Sequence, residues 1–255
     1  MMDGVPESQT AALKQPYLDP CGHPTENSGT THFTQDVLLA ILPRLACAGF
    51  QLHFHAIGDR AISNAIDVIE AARSAGANPG LNHHIAHLQQ MDLADIPRFV
   101  ASGAIANIQA LWAANSQQMR ELNLPIFGED RYRIQYPFGS LARAGARLAM
   151  GSDWPVSTPD PWQAIHVAVN RREPGDVSEP PLGPSEALDL PTCVSAYTMG
   201  SSAVFQDDTL GRIAVGAPAH IAIADRNPFE HPAEDIWLTK NRMTLLGGEV
   251  VYSAQ

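Results

Sequence analysis

Three apolar runs in this 255-residue chain each end in a residue that commonly ligates metals. The run Gln-Leu-His-Phe-His closes on His55, and Gly58, Asp59 and Arg60 then open a helix-like stretch. Leu-Asn-His-His-Ile-Ala-His closes on His87, and Asp92 starts the next helical stretch. Arg-Leu-Ala-Met-Gly-Ser closes on Asp153. Strand-length apolar runs alternating with helix-length stretches argue for a parallel sheet with covered faces. In a parallel α/β barrel the C-terminal strand ends gather at one mouth, where the chemistry is done. Two neutral imidazoles and a carboxylate meeting there would hold a divalent ion, zinc being the expected one, that activates water.

The rest of the chain fits that alternation. Residues 1–33 are punctuated by proline and glycine and hold no period. A helix is expected from Thr34, which can cap it, with Val37, Leu38, Ile41, Leu42 and Leu45 as its apolar stripe and a kink at Pro43. Strands are expected at 50–56, 81–88, 104–111 and 147–153, and helices at 59–75, 93–102, 141–144 and 161–171, with a long insert around Tyr132 and Tyr136. Ile62, Ile66 and Ile69 give the helix at 59–75 one apolar face, and Asp59 reads as its N-cap. After a Pro/Gly-rich link at 174–184 the pattern changes to helical pieces at 185–188 and 192–205. Short strands follow at 219–224 and 243–252, the latter turning at Gly247-Gly248. The expected division is therefore 1–184 for the α/β portion and 185–255 for helices and a small β portion.

Each candidate ligand has a plainer alternative. His53 and His55 lie two apart on a strand and share a face, which suits an imidazole pair on one metal. The competing reading keeps His55 as the ligand and makes His53 a packed interior side chain. His83 and His87 share a face by the same rule, and His84 points the other way, toward a helix. Asp153 alone would read as a turn-capping aspartate; its place after an apolar strand, downstream of two His-tipped strands, makes it a ligand and general base. Gln109 and Trp112, at the end of the third strand, are expected from position to shape a substrate pocket. Ser152 has no Gly-x-Ser-x-Gly context, and no Gly-x-Gly-x-x-Gly follows a strand, so serine hydrolase and dinucleotide-binding readings fail.

Composition closes other routes. A net charge of -11 argues against nucleic acid or an acidic membrane as partner. Cys21, Cys47 and Cys193 are odd in number and widely spaced, which fits neither a disulfide framework nor a thiolate zinc site. The chain shows no signal-peptide pattern and no apolar run of about 18 residues, the length that would span a bilayer, so a cytoplasmic location is expected.

The segments HAIGDRA, IAHLQQMDLADIPRF, GSDWPV and GRIAVGAPAHIAIADRNPF, with Asp3-Gly4 and Thr10-Ala11-Ala12 ahead of them, resemble the amidohydrolase superfamily, specifically its YtcJ-like "amidohydrolase 3" branch. The resemblance runs from about Met2 to Tyr252 and implies a metal-dependent TIM barrel beside a small β-sandwich. The implied chemistry is hydrolysis of a non-peptide, amide-type C–N bond in a small molecule. His55 would match the metal histidine of the fifth barrel strand, His87 that of the sixth, and Asp153 the aspartate of the eighth. The family's first-strand His-x-His and its bridging lysine have no counterpart: Lys14 and Lys240, the chain's two lysines, follow no strand. The expected fold is thus the C-terminal half of a barrel with part of the sandwich, and such a chain alone should have little hydrolase activity. A catalytically inactive remnant or assembly partner is the alternative, and a homo-oligomer remains open.

Overall fold

The computed structural model describes residues 1–254. They divide into two compact units: Met1–Ile108 with Asn115–Leu148, and Gln109–Ala114 with Ala149–Gln255. The fold is α/β, with a four-stranded sheet in the order β1-β2-β3-β4 and a separate three-stranded sheet.

The first unit begins with α1 (Gln35–Cys47), β1 (His53–Ala56), α2 (Asp59–Ser74), β2 (His84–His87), α3 (Ile96–Ser102) and β3 (Ile105–Ile108). Then come α4 (Leu124–Arg133) and α5 (Phe138–Arg143); β4 (Arg147–Met150), fourth in the sheet order, has its first two residues in this unit and its last two in the second. Strands β1, β2 and β3 pair in parallel, with His53 opposite His84 and His55 opposite Ala86. Each strand has only four residues, shorter than the apolar runs around it. Ile62, Ile66 and Ile69 of α2 are fully buried, as their spacing requires. Each such burial stabilises by roughly 1.5–3 kcal/mol.

Helix α1 forms as expected, but only part of its expected stripe turns inward. It runs through Pro43 to Cys47, but Val37, Ile41 and Leu45 are exposed, while Leu38 and Ala46 are buried. Pro43 is buried as well and Leu42 is half-buried, and α1 packs on α2. Asp59 is the first residue of α2 rather than its cap; Gly58 holds the cap position. The Asp59 carboxylate instead accepts the backbone N–H of Lys14 at 2.7 Å. Asp92 does cap the turn that leads into α3, accepting the N–H of Ala94 at 3.0 Å. Helix α4 lies in the stretch expected to be a long insert.

The irregular first segment is pinned to β1 and α2. The Met2 N–H donates to the His55 carbonyl at 2.9 Å, so the edge of β1 is partly covered. The Ala12 carbonyl accepts from Arg60 N–H at 3.1 Å and from Ala61 N–H at 3.4 Å, capping α2 from outside. Gly58 permits this approach, because a Cβ there would lie 2.0 Å from the Ala12 oxygen.

In the second unit, α6 (Pro161–Asn170) is capped by Asp160, which accepts the Trp162 N–H at 2.9 Å. Asp189 caps α7 (Leu190–Ser195) by accepting the Thr192 N–H at 2.7 Å. A π-turn leads into α8 (Ser201–Val204). Strands β5 (Ile221–Ala224), β6 (Asn241–Leu246) and β7 (Glu249–Ser253) form an antiparallel sheet. Gly247 and Gly248, at φ 60° and 88°, make the β6–β7 turn, a conformation glycine adopts without strain. A single sheet thus stands where a β-sandwich portion is expected, and β7 is exposed along its length.

Candidate metal centre

The parallel register sets the tips of β1 and β2 side by side. His55 and His87 face each other edge to face, ring centroids 4.5 Å apart. One layer down, the rings of His53 and His84 are also 4.5 Å apart. Strand alternation alone would not produce the first pair, because Ala86, not His87, lies opposite His55. The backbone supplies the correction: His87 has φ 77° and Leu88 φ 55°, so the chain leaves β2 in the left-handed region and swings the His87 ring round to His55. A histidine there is uncommon and is held by its surroundings.

Two sequence expectations change at this point. His87 does not share a face with His83 as a simple strand would require. His84 meets His53 on the neighbouring strand rather than a helix. His83 is fully buried, and its Nδ1 accepts the Leu52 N–H at 3.0 Å, which clamps the entry to β1. Burial pushes His83 down to about 4. His87 is pushed down to about 3, chiefly by burial and then by the neighbouring imidazoles of His55 and His53. A neutral imidazole is the form that binds a metal.

The His55 ring carries a matching feature. Its Nδ1 is buried and has no hydrogen-bond partner, and Asp3 Oδ1 lies 3.6 Å away. Asp3 itself is fully buried. Its carboxylate accepts from Ile57 N–H at 3.1 Å, Gly58 N–H at 2.9 Å and Ala12 N–H at 2.9 Å. A carboxylate beside one nitrogen of a ligand histidine favours a proton there and leaves the other nitrogen for the ion. Sequence reasoning passed over Asp3 as a site residue; the Asp3-Gly4 pair was its one available signal. Two facing imidazoles, one neutral by burial and the other with a buried ring nitrogen beside a carboxylate, fit a divalent metal.

Asp153 lies in the loop after β4, exposed, with φ 58°. It belongs to the second unit, as do Gln109 and Trp112. Gln109 is buried at the start of the short 3-10 turn Ala110–Trp112, and Trp112 is half-buried. Lys14 is held by Asp92 and Asp95, both at 2.8 Å. Burial works against its charge, but the hydrogen bonds to the two aspartates more than offset this and raise its pKa.

Comparison with known proteins places these features in a family. A match to the amidohydrolase family covers residues 1–252, and the chain belongs to it. It is 26% identical to the Bacillus subtilis protein YtcJ over 251 residues, covering 98% of this chain and 46% of YtcJ. It is 24% identical over 213 residues to the N-substituted formamide deformylase of Arthrobacter pascens, covering 79% of this chain and 36% of that enzyme. Among solved structures, a metal-dependent hydrolase from Pyrococcus horikoshii superposes with a TM-score of 0.68 at 26% identity, over 83% of this chain and 40% of that one. The chain therefore spans about half, or less, of the length of these relatives.

Proposed function

We propose that this chain is the half-barrel portion of a metal-dependent hydrolase that cleaves amide-type, non-peptide C–N bonds in small molecules. The observation that carries this reading is the His55–His87 pair at the tips of adjacent parallel strands. Kinship to a formamide deformylase and to a metal-dependent hydrolase supports the reaction class. His55 and His87 would hold the ion, and Asp3 would keep the His55 Nδ1 nitrogen out of its coordination. A divalent ion, zinc by preference for such donors, would supply Lewis acidity toward a carbonyl oxygen and lower the pKa of water. Asp153 would join as ligand and general base, taking the proton of the attacking water and returning it to the departing amine. Gln109 and Trp112 would shape the substrate's surroundings. Within this reading, residues 1–184 form the barrel portion and 185–255 the appended portion.

One observation favours a second reading, in which this chain binds metal without turnover. Both lysines of this chain are engaged by carboxylates, Lys14 by Asp92 and Asp95 and Lys240 at 3.6 Å from Asp160, so neither is free to bridge an ion. The test is zinc binding followed by turnover on a panel of N-acyl and N-formyl amines. We expect zinc to bind the wild-type chain and the affinity to fall at least a hundredfold in His87→Ala, with the fold kept by far-UV circular dichroism. Equal zinc affinity in wild type, His55→Ala and His87→Ala sinks the proposal. Binding without turnover selects the second reading.

A further inference from the structure

Far along the chain from the histidine pair, a turn near the start gathers three different donor types. Asp19, Cys21 and His23 each offer a ligand atom, and all three atoms lie within 4.8 Å of one another. We infer that this Asp-Pro-Cys-Gly-His turn is a second metal site, taking a borderline divalent cation of the zinc class.

The geometry of the turn is fixed before any ion arrives. Asp19 N–H donates to the His23 carbonyl at 2.8 Å, and Gly22 N–H donates to the Asp19 carbonyl at 2.9 Å. Asp19 Oδ1 accepts from the backbone N–H groups of Cys21 at 2.8 Å and of His23 at 2.9 Å. That leaves Oδ2 as the free oxygen, 3.7 Å from His23 Nδ1. Gly22, at φ 80°, lets the chain reverse between the two soft donors. The turn is also rooted. Leu18 bridges Pro24, Thr25 N–H donates to the Tyr17 carbonyl at 2.9 Å, and the buried Tyr17 ring stacks on Phe127 at 5.9 Å. An ion would therefore not have to order the loop, the usual entropic cost of a surface chelate.

The donor set chooses the ion. A thiolate and an imidazole disfavour magnesium and calcium and favour zinc or copper. Tetrahedral zinc needs donors roughly 3.3–3.8 Å apart, so each side chain must close by about an ångström at most. Cys21 and His23 are exposed, which leaves a fourth position open to water or a fourth donor.

Cobalt(II) titration of the full chain tests this independently of the His55–His87 centre. A cysteine ligand gives a thiolate-to-cobalt charge-transfer band that an imidazole–carboxylate site cannot give. We expect one equivalent of cobalt to produce that band, zinc to displace it, and Cys21→Ser to abolish it. His23→Ala should weaken cobalt binding at least tenfold, and Cys47→Ser should leave it intact. The turn is at the surface, so these variants should keep their circular dichroism. Absence of the band at millimolar cobalt overturns the proposal, and so does a band that survives Cys21→Ser.

Discussion

At the residue scale, the outlier backbone of His87 decides the site. A strand that continued regularly would leave Ala86 opposite His55 and turn His87 away; the left-handed step reverses this. Asp3 is the partner that this arrangement calls for, and it yields a sharp expectation. Asp3→Asn keeps the shape but places an amide group among three backbone donors and a ring nitrogen. We expect zinc affinity to drop about 10–100-fold, as for other groups that orient ligand histidines. Isothermal titration of the folded variant measures it. The pairing of His55 with His87 was legible in the sequence, because each ends an apolar run of a neighbouring strand. What the sequence could not show was the left-handed step at His87, since nothing in Ala-His-Leu demands it. The burial of Asp3 under α2 was equally hidden, since its partners lie 54 and 55 residues on.

At the scale of elements, the start of α2 is the tightest joint in the first unit. Gly58→Ala would drive a methyl into the Ala12 carbonyl, so we expect about 1–3 kcal/mol of destabilisation, the usual cost of overpacking. Ile66→Ala, in the buried row of α2, should cost about 2–5 kcal/mol. Ile41→Ala, on the exposed side of α1, should stay within about 0.5 kcal/mol. Urea denaturation of the three variants ranks them. Helices with a clean apolar period, α2 above all, were read almost to the residue. The α1 stripe was legible only in part: Leu and Ile recur at two adjacent phases, and of the expected set only Leu38 is buried and Leu42 half-buried, while Val37, Ile41 and Leu45 face out. Strands were read too long, because an apolar run continues past the last ladder hydrogen bond into the loops that carry the ligands.

For the whole molecule, buried neutral histidine links stability to pH. His83 sits near 6.5 when unfolded and near 4 when folded, because burial disfavours its charged form. Between those values the unfolded chain takes up a proton that the folded chain refuses. Its contribution is complete above pH 6.5 and is lost as pH falls toward 4. From pH 7 to 5 it amounts to about 2 kcal/mol. Urea midpoints at the two pH values should show the loss in wild type and a smaller one in His83→Gln, whose amide oxygen can still accept from Leu52. The α/β class and the order of the parallel strands followed from the alternation of apolar runs and helices. The compact units, whose boundaries fall at 108/109, 114/115 and 148/149, depend on contacts distant in sequence. The backbone bond from Met2 to His55 has a practical corollary. A tag fused ahead of Met1 would start beside β1, so an affinity handle at that end is best cleaved before metal binding at the imidazole pair is measured.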